Sequence, residues 1–192
     1  MFPIDGIEDG QLDTLHPACA DVLHYWQQCA EAAGGIPKLS DIDLMEIWQH
    51  ASHITIKDVE TDPISNATRL RFRYAGTMVF ELTGHELTGR YMDEVYDSAD
   101  EIHDVQSHVV SSGNLHFWKR ILQNTSAGWD PIPYESLSLP LKDDSGSITH
   151  ILTIIAWSEE ALEDAGPHLH SKDRHNHAAD HSGYLISRHH TS

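Results

Sequence analysis

Apolar residues recur at three- and four-residue steps from Cys19 through Val22, Leu23, Trp26, Cys29 and Ala30 to Ala33, with Pro17 ahead of them and Gly34–Gly35 behind. That spacing predicts an amphipathic helix, because proline is pre-set for a first helical turn and a glycine readily closes the last one. Ser40 followed by Asp43 resembles a capping box opening a short helix over 44–50. The stretch from His53 to Glu60 reads as a strand with Ile54 and Ile56 on one face, and Asp62, Pro63 and Asn66 supply the turn after it. From Arg69 to Tyr74 the alternation is strict. It places Arg69, Arg71 and Arg73 on one side of a strand and Leu70, Phe72 and Tyr74 on the other, as at a half-exposed sheet edge.

Gly76, Gly84 and Gly89 punctuate short helical pieces up to Tyr96, and Ser98 with Glu101 forms a second capping box. It opens a helix whose Ile102, Val105 and Val109 share a face and which stops at Gly113. Three strand-like stretches follow, 115–123, 134–142 and 147–157, the last two joined by Asp143-Asp-Ser-Gly146 as an antiparallel hairpin. In the final stretch Ile148, Leu152 and Ile154 face one way and Ile151, Ile155 and Trp157 the other, the mark of a central strand covered on both sides. The order predicts an α+β plan: a leading helix and about five antiparallel strands, with small helices between the second and third.

Composition narrows what this plan can be for. In 192 residues the formal net charge is −18, which opposes binding to nucleic acid or to an anionic membrane surface. The amino terminus is acidic and lacks the apolar core of a secretory signal, and no apolar run reaches a membrane span, so a cytoplasmic protein is expected. Cys19 and Cys29 fall on the same predicted helix, about 15 Å apart, too far for a disulfide, and are read as reduced thiols. Residues 168–192 hold seven of the 16 histidines and almost no large apolar side chains, so a disordered tail is expected from 166 onward and a loose arm over 1–15.

The strand–helix order resembles the PAS sensory fold, and local segments sharpen the likeness. Tyr25–Trp26, the Pro37–Asp43 segment, Arg71-Phe-Arg-Tyr-Ala-Gly-Thr77, Thr83-Gly-His-Glu-Leu-Thr-Gly-Arg90 and the closing pair Tyr134–Leu141 and Gly146–Trp157 are similar to a proteobacterial family of small, often stand-alone PAS proteins. The segment after Pro37 departs from the family pattern, with Lys38 and Leu39 where members commonly carry an arginine. The resemblance implies a PAS-like five-stranded antiparallel sheet over 16–165, a bacterial source and a sensory or regulatory role, and brings no catalytic residues with it. It also raises haem, which some PAS sensors hold by a histidine on the helix before the third strand; His103 and His108 lie there, but both point away from its apolar face or sit at the face's boundary. Neither haem nor flavin is supported by the sequence. The tail histidines are read as weak, adventitious metal ligands, and no metal site is assigned.

No phosphate loop, nucleophile elbow or CxxC pair occurs, so no enzyme activity is assigned. The alternative, an isomerase or hydratase on a similar curved sheet, would need a buried His–carboxylate pair. Phe72, Tyr74, His116 and Trp118 are candidates to line a small-molecule site, with Tyr74 or His116 as a polar handle. Leu23 and Trp26 are candidates for a partner or homodimer contact. The three arginines of the alternating strand are read as cross-strand partners of carboxylates. The expected function is that of a regulator which binds a small molecule or a protein partner and signals through protein–protein contacts.

Overall fold

The computed structural model describes residues 2–6, 14–84, 86–95, 99–124, 132–157 and 184–187. Helix α1 spans Pro17–Ala32. His16 caps it, its Nδ1 accepting the Ala18 N–H at 3.2 Å. At the other end Gly34 turns left-handed (φ 65°), its N–H donating to the Glu31 carbonyl while that of Gly35 donates to Ala30, a Schellman closure. The predicted stripe is buried on the chain's own sheet: Cys19, Val22, Leu23, Trp26 and Ala30 are core residues. Trp26 is fully enclosed, donates its indole N–H to the Pro140 carbonyl at 3.1 Å, and meets the Phe2 ring edge-on at 5.0 Å. The expectation that Leu23 and Trp26 contact a partner is therefore corrected. The surface that covers them is the sheet of the same chain.

The strands are β1 (Ile4–Asp5), β2 (Ile54–Thr61), β3 (Thr68–Ala75), β4 (Leu115–Asn124), β5 (Ile132–Lys142), β6 (Ile148–Trp157) and β7 (Tyr184–Ser187). Their order is β1-β4-β5-β6-β2-β3, with β7 also paired to β4. The five long strands are antiparallel, β6 is central and β3 is an edge, as the patterning predicts. Two short strands extend the plan. Ile4–Asp5 pairs in parallel with Leu115–His116, and Tyr184–Ser187 pairs with the far end of β4. These segments of the predicted arm and tail are therefore extended strands; the rest of 166–192 and residues 7–13 lie outside the described residues. The histidines of 168–181, 189 and 190, invoked as adventitious metal ligands, lie there too.

Between β3 and β4 run α2 (Thr77–Thr83), a single 3-10 turn at Met92–Glu94, and α3 (Ala99–Ser112), which Gly113 ends with φ 70°. The short helix expected over 44–50 is instead a turn leading into a 3-10 segment, Trp48–His53. The capping bond falls earlier, on a 3-10 turn at Leu39–Asp41, where Asp41 accepts the Lys38 N–H at 2.9 Å, while Asp43 accepts the Met45 N–H at 2.9 Å. Among the described residues no helix is long and apolar enough to cross a membrane.

The two faces of the sheet differ. Under α1, Ile54 and Ile56, Leu137, Leu139 and Leu141, and Leu152, Ile154 and Ala156 form an apolar floor. Under α2 and α3 a second cluster gathers Leu70, Phe72, Val79, Leu87, Met92, Val109 and Ile151. A β-bulge separates them in β3. Ile56 opposes Tyr74 but Lys57 opposes Phe72, so Arg73 is the extra residue. Because an inserted residue resets the alternation, Phe72 and Tyr74 leave the strand on opposite faces. The expectation that they share a face is corrected: Phe72 packs under α3, whereas Tyr74 packs on the α1 side with its hydroxyl donating to the Ala51 carbonyl at 2.9 Å.

The arginines pair as expected. Arg71 bridges Glu60 (2.7 Å) and Asp58 (3.1 Å), Arg73 meets Asp58 at 2.6 Å, and Arg69 holds Asp93 through two bonds.

Candidate functional site

On the side of the sheet facing α2 and α3, apolar side chains give way to a row of small polar ones. Thr55 of β2 opposes Thr153 of β6, Thr153 opposes Ser138 of β5, and Ser138 opposes His116 of β4. Each sits between apolar residues committed to the α1 face, so period-2 alternation delivers the hydroxyls of three strands and the imidazole of a fourth to one line. Thr55, Thr153 and Ser138 are at most 2% exposed.

Lys57, one pleat along from Thr55, lies in the same layer and is 3% exposed. Its ammonium donates to Thr55 Oγ1 and Thr153 Oγ1, both at 3.1 Å, and Thr153 Oγ1 is 3.3 Å from Ser138 Oγ. The Phe72 ring centroid stands 5.5 Å from Nζ. No carboxylate forms an ion pair with Lys57 among the described residues; its polar partners are hydroxyls. Desolvation therefore acts on the charge without compensation and pushes the pKa down to about 7. A buried titratable group shifted by desolvation is a candidate functional residue on physical grounds. From α3, Gln106 brings a buried amide whose Oε1 has no hydrogen-bond partner among the described residues.

Farther along the same face, Arg120 is buried with its guanidinium stacked 3.2 Å over the Trp118 ring, and His116 meets that ring edge-on at 5.2 Å. Of the residues expected to line a site, Phe72, His116 and Trp118 are thus on this face, and Tyr74 is not. Lys57, Thr55, Thr153 and Ser138 were missed. The signal for them is a lysine and hydroxyls at alternate positions inside otherwise apolar strands, in Ile54-Thr-Ile-Lys57, Leu137-Ser-Leu139 and Leu152-Thr-Ile154.

The helix histidines are engaged elsewhere. His103 Nε2 lies 2.7 Å from the Thr68 carbonyl, and His108 Nε2 lies 2.9 Å from Asp5. Among the described residues no group of three or more His, Cys, Asp or Glu side chains is arranged to hold a metal ion. Cys19 and Cys29 are free thiols, and burial pushes the Cys19 pKa up to about 12.

No curated protein matches the sequence. Among solved structures, an RNA-binding Light-Oxygen-Voltage receptor is similar at 19% identity and a TM-score of 0.41, over 63% of this chain and 35% of that one, so the chain spans about a third of that receptor. A sensory box histidine kinase/response regulator from Burkholderia thailandensis is similar at 12% identity (TM-score 0.36; 64% of this chain, 89% of that one), and a PAS domain from Colwellia psychrerythraea at 15% (0.35; 62% and 99%). The PAS domain family model matches residues 14–156, which run from the residues just before α1 to the penultimate residue of β6. The chain belongs to the PAS domain family, a class of sensory and regulatory domains.

Proposed function

We propose that this PAS domain is a sensor that holds a small molecule between its sheet and α2/α3 and reports occupancy through protein–protein contacts. The observation that carries the reading is Lys57, a buried ammonium whose hydrogen-bond partners among the described residues are neutral hydroxyls. Burying a charge this way opposes folding, and local conflicts of this kind concentrate at functional positions. The apolar cluster of Phe72, Val109 and Ile151 beside it supplies the hydrophobic wall of a small-molecule site.

The isomerase or hydratase alternative calls for a His–carboxylate pair in that layer. The described pairs, His150–Asp58, His50–Asp21 and His108–Asp5, lie outside it. Native mass spectrometry and an absorption spectrum of the purified full chain test the proposal. A retained species above the chain mass, lost from a variant with its lining altered at Phe72, supports a sensor. A bare chain whose melting temperature responds to no small molecule overturns it.

A further inference from the structure

Lys57, Thr55, Thr153 and Ser138 present hydrogen-bond donors to the layer beneath α3 and no negative charge. The ammonium has three N–H bonds, of which two are directed at Thr55 and Thr153. Thr55 Oγ1, having accepted from Lys57, keeps its own proton to donate, and the Thr153–Ser138 contact uses one hydroxyl proton of its two. Several donors around one positive charge, with no acceptor carboxylate among the described residues, describe a seat for one anionic oxygen group. The surroundings limit what it can be attached to. Phe72 and Ile151 flank Lys57 across the two ladders in which β2 lies, and both are buried apolar residues. A single ammonium offsets one negative charge; a polyanion would leave the remainder unpaired against that apolar wall.

We infer that the ligand of this layer is a small monocarboxylate with an apolar body, its carboxylate seated on Lys57 Nζ and the Thr55 and Thr153 hydroxyls and its body against Phe72 and Ile151. The inference rests on the reading of this layer as a ligand site and gives that ligand a chemical class. An ion pair formed in the buried layer is strongly favoured over leaving the ammonium alone, so binding and protonation of Lys57 reinforce one another.

The probes are hexanoate and benzoate, with hexanamide and benzamide as uncharged counterparts, each at millimolar concentration with the full chain in a thermal-melt assay. A ligand concentration well above the dissociation constant raises the melting temperature by about 3 °C or more for a domain of this size. At least one acid is expected to give that rise and its amide none. Lys57→Met is expected to lose the response while folding, and Thr153→Val, which keeps the ammonium, to weaken it about tenfold or less.

An amide acting as well as its acid, or an undiminished response in Lys57→Met and Thr153→Val alike, overturns the carboxylate assignment and leaves the sensor reading in place. If the acids have no effect while native mass spectrometry finds a retained uncharged molecule, the assignment fails and the sensor reading again stands. If neither acids nor amides act and the chain is bare, both readings fall.

Discussion

Lys57 and Phe72 are cross-strand partners at the β-bulge of β2 and β3, with the ammonium 5.5 Å from the centroid of the aromatic ring. The pairing places a cation and a large apolar surface side by side under α3, and the two side chains make opposite predictions for stability.

Phe72 is buried at 2% exposure within the α3-side cluster. Its replacement by alanine is expected to destabilise the domain by about 3–5 kcal/mol in urea denaturation, the range for truncating a buried aromatic. Arg71→Ala, whose partners Glu60 and Asp58 form a partly exposed network, is expected to cost about 1 kcal/mol or less. A tolerant Phe72 with a critical Arg71 would show that the working face of the edge strand is the arginine side.

Lys57 ties stability to pH. Its folded pKa of about 7 lies below the ordinary 10.5, so between these values the unfolded chain binds more protons than the folded one. Stability from this group therefore rises as pH goes from about 7 toward 10.5, and the penalty is fully present below 7. Lys57→Met removes it, and near pH 6.5 the variant is expected to be as stable as the parent or more so, by about 1–4 kcal/mol. The advantage is expected to shrink by pH 9. Denaturation of both proteins at the two pH values gives the difference directly, since other titrating groups cancel. A parent more stable than the variant at pH 6.5 would mean that the ammonium is satisfied in the folded chain.

Trp26 makes two contributions, packing and an indole N–H to Pro140. Trp26→Phe keeps most of the ring and is expected to cost about 1–2 kcal/mol for the lost bond, whereas Trp26→Ala is expected to cost about 3–5 kcal/mol. Sedimentation of Trp26→Phe is expected to match the parent, because the residue meets the chain's own sheet. An altered oligomeric state would restore the partner role.

Cys19 is fully buried and its pKa is pushed up to about 12, so the thiolate that reacts with alkylating reagents is scarce in the folded chain. Iodoacetamide at pH 8 is expected to leave Cys19 unmodified until denaturant is added, as read by peptide mass spectrometry. Rapid labelling without denaturant would show that α1 opens readily from the sheet.

Local patterning by itself determined the long strands and the helices α1 and α3. The three- and four-residue stripe of α1, the Gly34–Gly35 stop, the Asp143–Gly146 turn and the two-faced final strand were readable because each depends on neighbours within a few residues. So was the pairing of Arg69, Arg71 and Arg73 with acids, which follows from charge balance. What covers α1 was a tertiary matter: a stripe shows that a helix must be buried, and only packing decided that its own sheet does it. The separation of Phe72 from Tyr74 turned on one extra residue, Arg73, whose insertion depends on how β2 and β3 align rather than on the alternation of β3. Lys57 reads locally as a solvated strand lysine. Its burial with Thr55, Thr153 and Ser138 required β2 to meet the β5–β6 hairpin in register under α3, with Lys57 and Thr153 96 residues apart along the chain, and that proximity comes from long-range pairing, which local periodicity does not encode.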